Sequence, residues 1–143
     1  MAFIRKQGKT KLMWLPVTTS TVLSKNSIVA WSSGLLIAAT SSTAPSAHVG
    51  VVRKAIAATD SDYATARLIA VEVPVEANVV WEGDVTSGLV AADIGLFQDL
   101  TSATHVARTA STYDAVQCVK VISTTKGHFI LNLGIGGMGV VGA

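Results

Sequence analysis

The feature that most constrains this chain is a hydrophobic period of two, with no sustained period of 3.6. In "ARLIAVEVPVE" (66–76), Leu68, Ala70 and Glu72 alternate with Ile69, Val71 and Val73. Such alternation belongs to a strand with one face on a core and the other on solvent. The alanines of "YATARLIAVEV" are helix formers, but the β-branched run "LIAVEVPV" and Pro74 weigh against a helix. "STYDAVQCVKVISTTKGHFILNLGI" (111–135) predicts a hairpin turning at "TTKG", with Val119 and Val121 on one face and Cys118, Lys120 and Ile122 on the other.

The rest of the chain follows the same rule. "NSIVAWSSGLLIAAT" predicts a hairpin turning at "SSG". "HVGVVRKAIAATD" predicts a strand with a bulge at Gly50, and "ANVVWEGDV" another strand. "TSGLVAADIG" reads as a loop, and "LFQDLTSATHVARTA" as short strands or one helical turn. About eight to ten short strands with turns every eight to twelve residues predict an antiparallel sandwich or barrel. The expected fold is all-β: a small antiparallel β-barrel or β-tulip-like domain over residues 12–133. A basic N-terminal arm (1–11) precedes it and a Gly-rich tail (134–143) follows, with five glycines in ten residues.

A length of 143 residues fits one domain. Half the residues are apolar, enough for a real core, while only 14% are charged. So weakly charged a surface does not depend on repulsion for solubility, and it fits a protein partly buried against copies of itself or a partner. The single Cys118 excludes an internal disulfide and a thiolate cluster, and reads as a small core residue. "LMWLPV" is too short for a signal-peptide core, and no apolar run reaches the length of a membrane span.

No chemical constellation stands out. His48, His105 and His128 are far apart and lack metal-ligand spacing. Asp60 and Asp62 in "TDSDYAT" read as turn residues accepting backbone hydrogen bonds, without the closing glutamate of a calcium loop. Carboxylates paired for glycoside hydrolysis are not indicated by the scatter of Glu72, Glu76, Glu82, Asp84, Asp93 and Asp99. No GxSxG occurs, and "GIGGMG" (134–139) leaves no room for the helix a phosphate loop needs. Trp14, Trp31 and Trp81 lie in β-prone runs and read as core or interface fillers. No enzyme activity, metal or cofactor is expected.

Charge is uneven. Arg5, Lys6, Lys9 and Lys11 fall in the first eleven residues, whereas the other 132 carry seven basic and nine acidic residues. A nucleic-acid-binding body would carry the basic excess itself, so neither nucleic acid nor a membrane is the expected partner. A protein partner fits better. Its expected contacts are Arg5, Lys6, Lys9 and Lys11, with Trp14 as the anchor where the arm meets the body.

The runs "VTTSTVLSKNSIVAWSSGLLIAAT", "HVGVVRKAIAATDSDYATARLIAVEVPVE" and "VVWEGDVTSGLVAADIGLFQDL" carry a resemblance. Over about 12–133 the chain resembles phage capsid decoration, or cement, proteins of the β-tulip and β-barrel kind. The resemblance implies a non-enzymatic virion protein, commonly a homotrimer, assembled in the host cytoplasm. It implies a place on the capsid exterior, bound to the major capsid protein and clamping neighbouring subunits. The alternatives are a tail, fibre or other virion component, and a carbohydrate- or surface-binding β module.

Overall fold

The structure is a computed structural model that describes residues 3–19, 21–43, 47–60, 67–76, 78–86, 88–108 and 112–132. Their strands, in chain order, are β1 (Ile4–Gln7), β2 (Thr10–Val17), β3 (Ile28–Ser32), β4 (Leu35–Ala38), β5 (His48–Val52) and β6 (Arg67–Pro74), followed by β7 (Val80–Val85), β8 (Phe97–Ser102), β9 (His105–Ala107), β10 (Val116–Ser123) and β11 (Lys126–Leu131). A 3₁₀ turn, Ala91–Asp93, lies between β7 and β8. The expected all-β class, built from small barrels, is what the chain forms.

Turn chemistry sets the hairpins. Ser33 and Gly34 both have positive φ, 52° and 82°, the geometry of a tight turn whose twist matches the flanking strands β3 and β4. β10 and β11 pair across Thr124 and Thr125, where the sequence placed the turn. The ambiguous segment after Leu96 resolves into strands β8 and β9, paired antiparallel.

The strands make two barrels. The first closes in the order β2-β4-β3-β5-β6. Its longest seam is β2 against β6, in register from Thr10↔Pro74 to Val17↔Arg67. One parallel pair, Val17↔Leu36, closes it. The second sheet runs β1-β7-β11-β10-β8-β9, and a parallel pairing of β9 back onto β7 rolls it into a ring. The first core holds Leu15, Val17, Val29, Leu36, Val49, Ile69, Val71 and Val73. The second is built on Phe3, Trp81, Leu89, Leu100, Val116, Cys118 and Phe129.

The two cores share a wall. Val29 of β3 faces the first core, whereas its neighbours Ile28 and Ala30 belong to the second. β5 is buried along its whole length, with Val49 in one core and Val51 in the other. This is why "SIVA" and "HVGVV" read as continuous apolar runs rather than alternations. The bulge expected at Gly50 falls one residue earlier: Val29 pairs with Gly50, but Ala30 pairs with His48, so Val49 is the extra residue. A side chain at Gly50 would stand 2.3 Å from the Glu72 carbonyl, so the close approach of β5 to β6 requires glycine.

Two further expectations are corrected. In β10, Cys118 pairs with Phe129 but Lys120 pairs with His128, leaving Val119 unpaired as a bulge. The bulge resets the alternation, so Cys118 and Val121 face the second core and Ile122 is exposed. The second correction concerns the N-terminus. Residues 3–11 are not an arm outside the body. Phe3 is fully buried in the second core, and Ile4 and Arg5 pair with Glu82 and Trp81. After a turn at Gly8, with φ +95°, the chain enters β2 of the first barrel. The segment therefore ties the barrels together. Residues 1–2, Asp62 and the tail 134–143 lie outside the described residues.

Candidate functional site

The seam between β2 and β6 places each candidate residue. Cross-strand partners point to the same side of a sheet. Met13, Leu15 and Val17 line the first core with Ile69, Val71 and Val73. Leu12, Trp14 and Pro16 therefore share the outer side with their partners Glu72, Ala70 and Leu68. On that side Leu12 is 55% exposed, Trp14 63% and Leu68 59%. Ala70 lies buried between them and forms a floor. The result is a contiguous apolar ledge on a strand pair whose other side is a filled core.

At one end of the ledge lies a cleft of about 350 Å³, lined by Ile4, Arg5, Thr10, Leu12, Arg53 and Glu72. Its base is the Glu72 carboxylate, buried and held on all sides. The Arg5 Nε–H and the Thr10 hydroxyl, at 2.7 Å, both donate to Glu72 Oε2. Arg53 Nη1 lies 3.5 Å from Oε1 and also donates to Asn26 Oδ1 at 3.1 Å. Two guanidinium groups thus share one carboxylate, leaving the site one positive charge. A buried carboxylate so bonded is stable only because its partners replace water.

The five residues singled out from the sequence separate into two groups. Arg5 spends its charge on Glu72 and also donates to the Gly8 carbonyl at 3.0 Å. Lys6 lies 4.0 Å from Glu82, which also faces His128 at 3.4 Å. The backbone N–H of Lys9 donates to Glu76 Oε1 at 2.8 Å. Two of the four charges, Arg5 and Lys6, thus face carboxylates of the same chain, Glu72 and Glu82. Lys11 is exposed on β2, and Trp14 stands on the ledge. Arg5 and Trp14 come to the same face, one in the cleft wall and one beyond it.

Sequence reasoning missed Leu12, Arg53, Leu68 and Glu72 as members of this face. Part of the signal was legible. The alternation in "KLMWLPV" groups Leu12 with Trp14, and that in "RLIAVEV" groups Leu68 with Glu72. What joins the groups is the register Trp14↔Ala70, a tertiary fact.

Several other titratable groups make bonds within the fold. His48 is fully buried with its Nδ1 3.2 Å from the Asn132 carbonyl oxygen, while among the described residues Nε2 has no hydrogen-bond partner. Burial pushes its pKa below the usual imidazole value, against a smaller opposing effect of the Asn132 bond. Burial alone would raise the Asp93 carboxyl, but bonds from Arg108 and the Val90 N–H together outweigh it and hold the pKa below normal. Burial raises the Cys118 thiol. Asp99 accepts the N–H groups of Thr112, Tyr113 and Asp114, and Asp60 accepts that of Ala57. Among the described residues no three His, Cys, Asp or Glu side chains converge as metal ligands, and no helix is long and apolar enough to cross a membrane.

The described residues define an all-β protein of two fused small barrels with an apolar ledge beside a cationic cleft. No known protein-family profile matches the sequence, and no curated protein matches it.

Proposed function

We propose that the chain is a structural virion protein that seats on the outer surface of an icosahedral phage head and clamps neighbouring major capsid subunits, acting as a homotrimer without catalytic activity. The observation that carries the proposal is the ledge of Leu12, Trp14 and Leu68. These side chains are not surplus core, because the strands that bear them already fill the first barrel from their other side. An exposed tryptophan among aliphatic residues is the usual composition of a protein-docking centre. The low charge of the sequence and its resemblance to decoration proteins agree with a surface covered on assembly.

The test mixes the purified full-length chain with phage heads prepared without it. Co-sedimentation with heads, absence of binding to naked DNA and a higher temperature of head disruption are expected. Heads that neither retain the chain nor gain heat resistance would overturn the proposal. Sedimentation equilibrium of the free chain reads the trimer separately.

A further inference from the structure

We infer that the outer face of β2 and β6 takes an extended acidic and apolar segment of the partner protein, with one carboxylate of that segment between Arg5 and Arg53. The inference rests on the docking role proposed above and supplies the chemistry of the partner.

Charge complementarity specifies the polar end. The charge of Glu72 is already countered by Arg5 and Arg53, with Thr10 also donating to it, so the cleft is net positive and does not favour a cationic ligand. It has donors instead. Arg5 uses Nε on Glu72 and Nη1 on Gly8, and Arg53 uses Nη1 on Asn26 and Glu72. Each guanidinium carries five N–H groups, and both side chains are about two-fifths exposed on the cleft wall. A planar carboxylate matches the remaining N–H pairs. One net positive charge does not hold a phosphate chain, which needs several cations in a row.

Spacing specifies the apolar end. Leu12 lines the cleft and Trp14 is the next residue on the same side, about 7 Å along at the usual strand rise. Glu72 and Leu68 lie four residues apart on β6, about 14 Å. An extended peptide has the same rise. With an acidic residue in the cleft, its side chains two and four positions on fall over Trp14 and then Leu68. Five residues of strand thus reach from the cation to the far end of the ledge.

The test uses fluorescein-labelled, end-capped nonapeptides with valine or leucine at alternate positions and Asp, Asn or Lys at one of them. Binding to the full-length chain is read by anisotropy. The Asp peptides are expected to bind, with the Asn and Lys versions at least tenfold weaker. Trp14→Ser and Arg53→Gln are each expected to lose tenfold or more. Ile94→Ser, an exposed apolar residue of the second barrel, is expected to bind as wild type. Trp14 is exposed, so its variant keeps the fold, and a melting curve for each variant checks this. Four results would overturn the inference: no peptide binding, indifference to the charge series, loss in Ile94→Ser but not in Trp14→Ser, or binding of neutral oligosaccharides in place of peptides. Self-association that Trp14→Ser abolishes would overturn it too, by giving the face to a second copy of the chain. Peptide binding without head binding removes only the virion proposal, and head binding without peptide binding removes only this inference.

Discussion

Three tryptophans in similar β-prone runs have three different roles. Trp81 is 1% exposed in the second core, Trp31 is half-buried against the first, and Trp14 stands in solvent. Trp81→Ala is expected to cost about 3–5 kcal/mol in chemical denaturation, the usual range for emptying a large aromatic site. Trp14→Ser is expected to leave the midpoint nearly unchanged. His48 makes a pH-dependent prediction. Its folded pKa lies below the unfolded value of 6.5, so the unfolded chain binds the proton more readily. Stability is then full above pH 6.5 and falls as the pH drops below it. Denaturation midpoints measured from pH 7.5 to 5 check this, and His48→Gln is expected to flatten the profile. The sequence marks His48 only as a histidine beginning a strand. The carbonyl that its buried ring meets belongs to Asn132, 84 residues away.

At the scale of elements, backbone approach decides what side chains can occupy. Gly83 lies in β7 at the point where Phe3 crosses it. A methyl group there would stand 2.4 Å from the Phe3 ring. Gly83→Ala is therefore expected to displace Phe3, loosen β1 from β7 and lower stability by about 1–3 kcal/mol, as overpacking does. Hydrogen exchange of the β1 amides against those of β2 reads whether the loss begins at β1. The strands themselves were largely legible, because alternation and turn residues are local signals: "SSG" and "TTKG" turn where expected, and the bulge expected at Gly50 falls one residue earlier. The bulge at Val119 was not legible. Nothing in "QCVKVIS" distinguishes a regular strand from one with an extra residue, and the distinction rests on β11 pairing across it. The mistaken arm has a similar cause. "FIRKQGK" is rich in charge, and only the burial of Phe3 and the pairing of β1 with β7 hold it on the body, with Arg5 and Lys6 facing carboxylates of β6 and β7.

At the scale of the molecule, β3 and β5 serve both cores, and β1 and β2 place one continuous segment in both sheets. The first core is built wholly from residues 13–73, but the second core takes Ile28, Ala30 and Val51 from the outer faces of β3 and β5. Thermal unfolding is expected to be one cooperative transition, with equal calorimetric and van't Hoff enthalpies. Two resolved transitions would contradict the shared wall. A fragment ending near residue 76 is expected not to fold alone, since Ile28, Ala30 and Val51 would lose the residues that cover them.

The sequence by itself determined the all-β class, most strand positions, the hairpin turns and the low surface charge, because these depend on neighbours a few residues apart. Tertiary structure alone decided that there are two barrels, that the basic segment is folded between them, and that Leu12, Trp14, Leu68, Arg5, Arg53 and Glu72 meet on one face. Those outcomes depend on strand register, and register pairs residues as far apart as Ile4 and Glu82. A period of two in the sequence says that two faces exist; only the closed barrel says which of them points outward.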